Sequence, residues 1–235
     1  MKKYISNANS FLHLPKKEVI KRLIPPVIVF AYNCFCYCVP KAMVPTSRFL
    51  YLDSPIDMAI PLIPTFLIFY YGSYVQWLNY FLETAADPNE ERKNRYYVAD
   101  LLTKTVCIIT YFVFPLAMLR PEITNPDTFF LKILAMTYKT DNPLGCLPSI
   151  HCIYSYLSFR YSYEVQGKKW NLISLGQLIF SILVFASTVL VKQHWLIDMF
   201  GAFLVSEFML WITKKYDLGR YYRSFCEKLF QKLKI

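Results

Sequence analysis

Residues 170–191 read WNLISLGQLIFSILVFASTVLV, a run without an acidic or basic side chain. A helix needs about 20 predominantly apolar residues to cross the hydrocarbon core of a bilayer. The run is therefore long and apolar enough to predict a transmembrane helix. The number of membrane crossings depends on the segments of sequence before and after this run.

Five further apolar segments accompany this run. The chain of 235 residues is 55% hydrophobic and only 18% charged, which is more apolar surface than a soluble globule needs. The predicted spans are residues 23–39, 56–82, 97–119, 148–163, 170–191 and 194–213. We therefore expect an all-α fold, a polytopic membrane protein that forms a bundle of six transmembrane helices.

Membrane topology explains the formal net charge of +10 better than a nucleic-acid partner does. With six spans and a cytoplasmic N-terminus, nineteen lysines and arginines fall on the inner side of the membrane and six on the outer side. Cytoplasmic loops of membrane proteins carry such an excess of positive charge. Both termini are therefore expected in the cytoplasm, and no nucleic acid is expected as a partner.

Both ends of the chain are basic and flank the membrane domain. We divide the chain into a basic cytoplasmic segment (residues 1–22), the membrane domain (23–213) and a basic amphipathic cytoplasmic segment (214–235). The N-terminus lacks a small-residue cleavage site, so no removable signal peptide is expected. The C-terminal segment predicts a helix on an anionic inner leaflet or, alternatively, one that binds a partner. Its apolar positions at helical spacing are Tyr221, Phe225, Leu229 and Leu233.

Two ionisable residues, Lys104 and Glu207, fall deep inside predicted spans. At 1.5 Å per helical residue, they lie about 24 and about 20 Å below the outer ends of their helices. This similar depth predicts an ion pair, which would make both tolerable in hydrocarbon. Asp100, one turn before Lys104, is the competing partner.

The seven cysteines are expected to act mainly as small apolar core residues. Cys34, Cys36 and Cys38 scatter around a helix axis and so predict no metal site. A disulfide involving Cys146 on the outer side stays open.

Two of the three histidines are placed by the topology at the same side of the membrane. His151 starts the fourth predicted helix and His194 starts the sixth, so two spans separate them. Arg120 ends the third helix, with no span between it and His151. The outer mouths of three helices therefore gather an arginine and two histidines.

Asp198 follows His194 by four residues, which on a helix places both side chains on one face. A carboxylate there can accept the second N–H of the imidazole and fix its tautomer. His194 would then present its free nitrogen as a nucleophile. The alternative is a histidine at the start of a helix that a local carboxylate merely satisfies.

Phosphoryl transfer needs positive charge around the phosphate and groups in line for attack and departure. Arg120 offers a planar fork for phosphate oxygens, and Lys192 adds a second cation near His194. The amides beside Ser149 face outward at a helix N-terminus. His151 could protonate the leaving oxygen and later activate water.

These motifs resemble the three-part signature of the type 2 phosphatidic acid phosphatase superfamily. The matching residues are Arg120-Pro121, Pro148-Ser149-Ile150-His151, and Ser187 followed by His194 and Asp198. The resemblance runs from the third predicted helix to the sixth and implies a six-helix bundle that uses no metal and no cofactor. It implies that His194 forms a phosphohistidine, Asp198 orients it, and His151 is the acid and base. It also implies that Arg120, Ser149 and Ser187 bind the phosphate.

The chain departs from that signature at three positions. Val113 stands where the family has a lysine, Ile150 where it has a glycine, and Thr188 where it has an arginine. Two phosphate-binding cations are thus missing, and Lys192 is a candidate replacement for one. The reduced motifs are similar to those of the inositol phosphorylceramide and sphingomyelin synthases, which move a phosphorylated headgroup between lipids.

Three functions follow from these patterns. The first is a lipid phosphatase in the bilayer, acting on a lipid phosphate monoester or pyrophosphate from the extracytoplasmic face of a plasma (inner) membrane. The second is a lipid phosphotransferase with an alcohol or lipid acceptor. The third is a catalytically silent membrane scaffold or transporter.

Overall fold

The computed structural model describes residues 2–52 and 54–235. The side chains of Lys2 and Lys3, counted above as inner cations, lie outside the described part. The helices are α1 (Lys2–Leu12), α2 (Lys16–Met43), α3 (Pro55–Ala59), α4 (Leu67–Ala86), α5 (Glu90–Val113), α6 (Phe129–Thr140), α7 (Ile150–Val165), α8 (Leu172–Leu190), α9 (Leu196–Lys215) and α10 (Gly219–Leu233). The described residues form no strand, only two isolated β-bridges between loops.

Among the described residues, four helices are long and apolar enough to cross a membrane, which is consistent with an integral membrane protein: α2, α5, α8 and α9. The other two predicted spans correspond to α4 and α7. At 16 residues, α7 covers about 24 Å of the ~30 Å hydrocarbon core. The inner face of α4 is polar, with Ser73, Gln76 and Glu83 buried against the bundle.

The centre of the bundle is α7. It packs against α4, α5, α8 and α9, and most of its residues are buried, including a row of serines. Because neighbouring helices cover α7, its polar side chains do not face lipid. A short, polar helix is tolerated here for that reason.

Three predicted helix boundaries are wrong, each at the end of the helix that lies nearest to His151, His194 and Arg120. The second predicted span is broken into α3, an irregular connection and α4. Pro61 lies in the connection, and Pro64 begins the short 3-10 helix (Pro64–Phe66) that leads into α4. The third helix ends at Val113, so Arg120 lies in the following loop. The sixth begins at Leu196, so His194 precedes it.

The predicted pairing of Lys104 with Glu207 is wrong. The Lys104 Nζ donates to Asp100 Oδ1 at 2.8 Å, and both side chains are fully buried. Glu207 pairs instead with Arg160 of α7 and accepts from Tyr156 Oη at 2.7 Å. Asp100 lies one turn from Lys104 on the same helix, so this pair can form whatever the alignment of the neighbouring helices.

The C-terminal segment forms α10, as its spacing predicts. Tyr222 and Cys226 are buried against the bundle, where α10 packs on α5. Tyr221 and Phe225, each about 100° around the helix axis from one of these buried residues, stay exposed. The helix thus keeps an apolar exposed face while also docking on the bundle.

Candidate functional site

A cavity of about 210 Å³ lies at one end of the bundle. Successive long helices run in opposite directions. The end of the bundle that holds the cavity therefore gathers the C-terminal ends of α2, α5 and α8 and the N-terminal ends of α4, α7 and α9. His151, His194 and Arg120 line the cavity, as the topology predicts. Further polar and aromatic residues of its wall are Tyr37, Lys41, Tyr70, Tyr74, Trp77, Asp141 and Gln193.

His194 lies in the tight turn between α8 and α9, where its backbone amide donates to Thr188 O at 3.0 Å. Its Nδ1 is 3.2 Å from Asp198 Oδ2, which also accepts the amide of Trp195 at 2.8 Å. Asp198 therefore caps the first turn of α9 and binds the imidazole with the same oxygen. A carboxylate only accepts, so Nδ1 carries the proton and Nε2 has the free lone pair.

His151 sits in the first turn of α7, behind the N-cap residue Ser149. Its Nδ1 is 3.0 Å from Ser73 Oγ, and Ser73 donates its own hydroxyl proton to Tyr70 O at 2.6 Å. Ser73 has one proton to give, so it accepts from His151 Nδ1. The free nitrogen of His151 is therefore Nε2.

The two imidazoles are close together in the cavity wall, with 6.2 Å between ring centroids and 67° between the ring planes. Aromatic rings enclose the His151 side: Tyr70 at 4.3 Å, Trp77 at 5.0 Å and Tyr74 at 5.4 Å between centroids. These rings cover the His151 imidazole, which is buried. Both imidazoles border the same cavity, and at this separation they lie within edge-to-face range of each other.

Two cations and one carboxylate form the polar wall of the cavity. Arg120 donates to the Asp141 carbonyl at 2.7 Å, to its carboxylate at 3.3 Å, and to Gln193 Oε1. Lys41 Nζ donates to Asp141 Oδ1 at 2.6 Å. The Nε of Arg120 is buried without a partner. The guanidinium therefore keeps one N–H donor without a protein partner.

Asp141 is held in its ionised form. Burial alone raises the pKa of its carboxyl, but the ammonium of Lys41, hydrogen bonds from Lys41 and Tyr37, and the charge of Arg120 outweigh burial. The pKa of Asp141 therefore lies below its usual range. The cavity wall carries two positive charges and one negative charge.

The structure does not bring three of the predicted phosphate-binding residues to the cavity. Ser149 Oγ accepts the amide of Cys152 as the N-cap of α7, and Ser187 Oγ donates to Val184 O at 2.7 Å. Lys192 Nζ donates to Asp57 O at 2.7 Å and lines a neighbouring depression, to which Arg120 also contributes. Their role in binding phosphate stays a prediction.

Sequence reasoning missed Lys41, Asp141, Gln193 and Ser73. The topology that predicts both histidines on the outer side also predicts Lys41 and Asp141 there. The membrane topology could therefore have identified these two residues. Ser73 lies in an apolar stretch with no feature that marks it.

In the part of the chain that the structure describes, one set of side chains could hold a metal ion: Cys146, His194 and Asp198 each offer one ligand atom, all within 4.8 Å of one another. Cys146 is a free thiol. Asp198 Oδ1 is buried without a partner, so it is available as a ligand. The donor set suits zinc, which takes sulfur, nitrogen and oxygen ligands. The absence of a metal from the reaction stays a prediction.

No protein-family model matches the chain, and no curated protein matches its sequence. The resemblance to the phosphatidic acid phosphatases thus rests on the short motifs alone.

Proposed function

We propose that the chain is a membrane lipid phosphatase that hydrolyses a lipid phosphate monoester or pyrophosphate through a phosphohistidine on His194. The observation that carries this proposal is the pair of imidazoles, His151 and His194, whose ring centroids lie 6.2 Å apart at one cavity. Each has its Nδ1 committed to a partner and its Nε2 free. A nucleophile and an acid–base group that act on one phosphoryl group need two such free nitrogens close together.

In the first half of the reaction, Nε2 of His194 attacks phosphorus and the bond to the leaving oxygen breaks. Protonated His151 gives its proton to that oxygen and becomes neutral. Asp198 stabilises the positive charge that develops on the His194 ring.

In the second half, water attacks the phosphohistidine. His151 takes one proton from the water, the phosphorus–nitrogen bond breaks, and inorganic phosphate leaves. His194 regains its free Nε2, and His151 is again protonated for the next cycle.

Arg120 and Lys41 supply the positive charge that a phosphoryl group needs. In the free protein Asp141 neutralises part of this charge. An entering phosphate competes with Asp141 for both cations. The unpartnered Nε of Arg120 supports this assignment.

The membrane arrangement belongs to the same proposal. Six crossings, through α2, α4, α5, α7, α8 and α9, with both termini in the cytoplasm would place the cavity at the outer face of a plasma (inner) membrane. The excess of lysine and arginine in the segments opposite the cavity supports this orientation.

The test is release of inorganic phosphate by the detergent-purified protein, with a chelator present, from a panel of lipid phosphates. Wild type should release phosphate and His194→Ala should not. His13→Ala is the matched control, because His13 is exposed and remote from the cavity. Phosphate release that persists in His194→Ala contradicts the proposal.

A second candidate is a lipid phosphotransferase, favoured by the aromatic wall of the cavity. Tyr37, Tyr70, Tyr74 and Trp77 line the cavity, and most of the cavity surface is apolar, which leaves few polar groups to hold an attacking water. The same phosphohistidine chemistry would serve, with a phosphorylated headgroup transferred and an alcohol in place of water. Labelled headgroup that moves to an added lipid alcohol, with little free phosphate released, would select this candidate.

A further inference from the structure

Three buried side chains converge where the turn before α9 meets the loop before α7. Cys146 lies in that loop, His194 in the turn, and Asp198 in the first turn of α9. Their ligand atoms lie within 4.8 Å of one another, and the three residues are 2%, 6% and 0% exposed. A thiol, an imidazole and a carboxylate this close together form a donor set of the kind that binds zinc.

Two of these donors have capacity that the protein itself does not use. Asp198 Oδ2 accepts from His194 and from the Trp195 amide, but Asp198 Oδ1 is buried without a partner. The Cys146 thiol contacts two backbone carbonyl oxygens, at 3.3 and 3.8 Å. A thiol is a weak donor, so little is lost when a metal takes the place of its proton. The helix cap alone does not explain an unsatisfied carboxylate oxygen beside a free thiol.

The dimensions and the charge of the donor set also fit zinc. The ligand atoms around a tetrahedral zinc ion lie about 3.5 Å apart, so side-chain movements of about 1 Å would close the set around an ion. Cys146 and His194 line the cavity, so an ion in the cavity can reach both. Zinc bound by one thiolate, one carboxylate and one neutral imidazole carries no net charge, which suits a buried site.

We propose that Cys146, His194 and Asp198 bind a zinc ion that blocks His194 as a nucleophile. The zinc–sulfur bond forms as the Cys146 thiol releases its proton to water. If zinc binds Nε2 of His194, it occupies the lone pair that would attack phosphorus. If zinc binds Nδ1, the proton that Nδ1 carries passes to Nε2, and the same lone pair is lost. Zinc binding does not depend on the proposed function, whereas inhibition rests on it.

The first measurement is the binding of zinc alone to untagged protein, purified in detergent and freed of metal. Competition with a chromophoric zinc indicator gives the Kd for wild type, Cys146→Ser and Cys107→Ser. Cys107 is the matched control, because it is a fully buried thiol that also contacts a backbone carbonyl, Pro148 O at 3.8 Å, and lies outside the donor set. Asp198→Asn removes a second ligand, is read by zinc binding alone, and guards against a folding defect in Cys146→Ser.

Wild type and Cys107→Ser should bind zinc equally well. Loss of an outer partner of a metal ligand costs about 10- to 100-fold in affinity, so loss of a ligand in Cys146→Ser or Asp198→Asn should cost about 100-fold or more. Magnesium, which takes oxygen ligands, should not compete with zinc. A wild type that binds no zinc, or a Cys146→Ser variant that binds it as tightly as wild type, overturns the proposal.

The second measurement is phosphate release from a lipid phosphate with and without zinc. Zinc at about ten times its Kd fills about nine-tenths of the sites, so the rates of wild type and Cys107→Ser should fall about tenfold, and a chelator should restore them. Cys146→Ser should stay within about twofold of its own zinc-free rate. Zinc that raises the rate of wild type overturns the proposal, because the ion would then be catalytic. If wild type releases no phosphate, the proposed function fails, whereas a zinc Kd that Cys146→Ser weakens still supports the site.

Discussion

Two imidazoles border the cavity, and a different partner orients each. His194 is bonded to a buried carboxylate, whereas His151 is bonded to the hydroxyl of Ser73. A carboxylate stabilises the imidazolium that a nucleophile becomes, and a neutral hydroxyl leaves a ring free to gain and lose a proton. The surroundings thus give the two histidines different chemistry.

Replacing Asp198 with asparagine should show whether Asp198 acts on His194 by orienting its ring or by its negative charge. The asparagine side chain would keep an oxygen for the Trp195 amide but lose the negative charge beside His194. We expect kcat for phosphate release to fall by about 10²- to 10⁴-fold with little change in KM. Asp217→Asn, an exposed carboxylate after α9, is the control. A kcat within a few-fold of wild type would remove Asp198 from the mechanism.

Asp141 should make stability depend on pH. Its folded pKa is lowered, so its contribution is present above the unfolded value of about 4 and is lost as pH falls through the folded value. Asp141→Asn should therefore lower the unfolding temperature at pH 7, by the equivalent of about 1–3 kcal/mol. The difference from wild type should shrink in acid below about pH 4.

Thermal unfolding in detergent across a pH series measures this effect. Asp127→Asn, on an exposed loop, should match wild type at every pH. A difference between Asp141→Asn and wild type that does not change with pH would show that the charge of Asp141 is not what stabilises the protein.

At the scale of single residues, the sequence predicts which side chains lie near one another but not which hydrogen bonds fix each of them. Topology alone brings Arg120, His151 and His194 to one cavity. The four-residue spacing of His194 and Asp198 predicts their contact, although the geometry is that of a helix cap rather than one helix face. Ser73 could not be found, because its role depends on how α4 rotates against α7.

The start of α9 depends on another element, the short helix α3. Asp57 Oδ1 accepts the amide of Leu196 at 2.7 Å, and the Asp57 carbonyl accepts from Lys192. The segment between α2 and α4 thereby fixes the turn that carries His194. In this arrangement Asp57 positions the site and does not touch the substrate.

Asp57→Ala should loosen that turn. Loss of a cap costs about 1 kcal/mol, and we expect kcat for phosphate release to fall by about tenfold through the displaced imidazole. Asn caps helices as well as Asp does, so Asp57→Asn should restore most of the rate. Met58→Ala, on the same short helix, is the control. If Asp57→Asn is as impaired as Asp57→Ala, the cap is not the cause.

Existence and order of the long helices could be predicted because apolar runs of this length have few alternatives in a membrane protein. Their ends could not. Prolines at 61 and 64 stop α4 from starting early, and the loop before Arg120 is extended although its residues are apolar. Hydropathy measures burial in lipid and is insensitive to whether the backbone is helical.

The whole molecule combines a lipid-facing shell with a polar interior. Asp100, Lys104 and the serines of α7 are buried among the long helices, while the exposed faces of α8 and α9 are apolar. Each long helix reverses direction relative to the last, so one end of the bundle holds the cavity. The sequence predicts this arrangement through its charge asymmetry.

Labelling of introduced cysteines tests the orientation. In a Cys38→Ser background, a membrane-impermeant thiol reagent should modify Asp127→Cys from outside intact cells. Lys169→Cys, in the turn between α7 and α8, should react only after permeabilisation. The reverse pattern would place the cavity on the cytoplasmic side.

The central claim is that His194 takes the phosphoryl group, and the most direct measurement is to trap it there. Wild type mixed with lipid carrying radiolabelled phosphate and quenched rapidly should hold a protein-bound label that is stable to alkali and lost in acid, as a phosphorus–nitrogen bond is. The label should be absent from His194→Ala and should map to His194 in the digested wild type. Phosphate release by wild type without any such label, or a label that survives in His194→Ala, would contradict the claim.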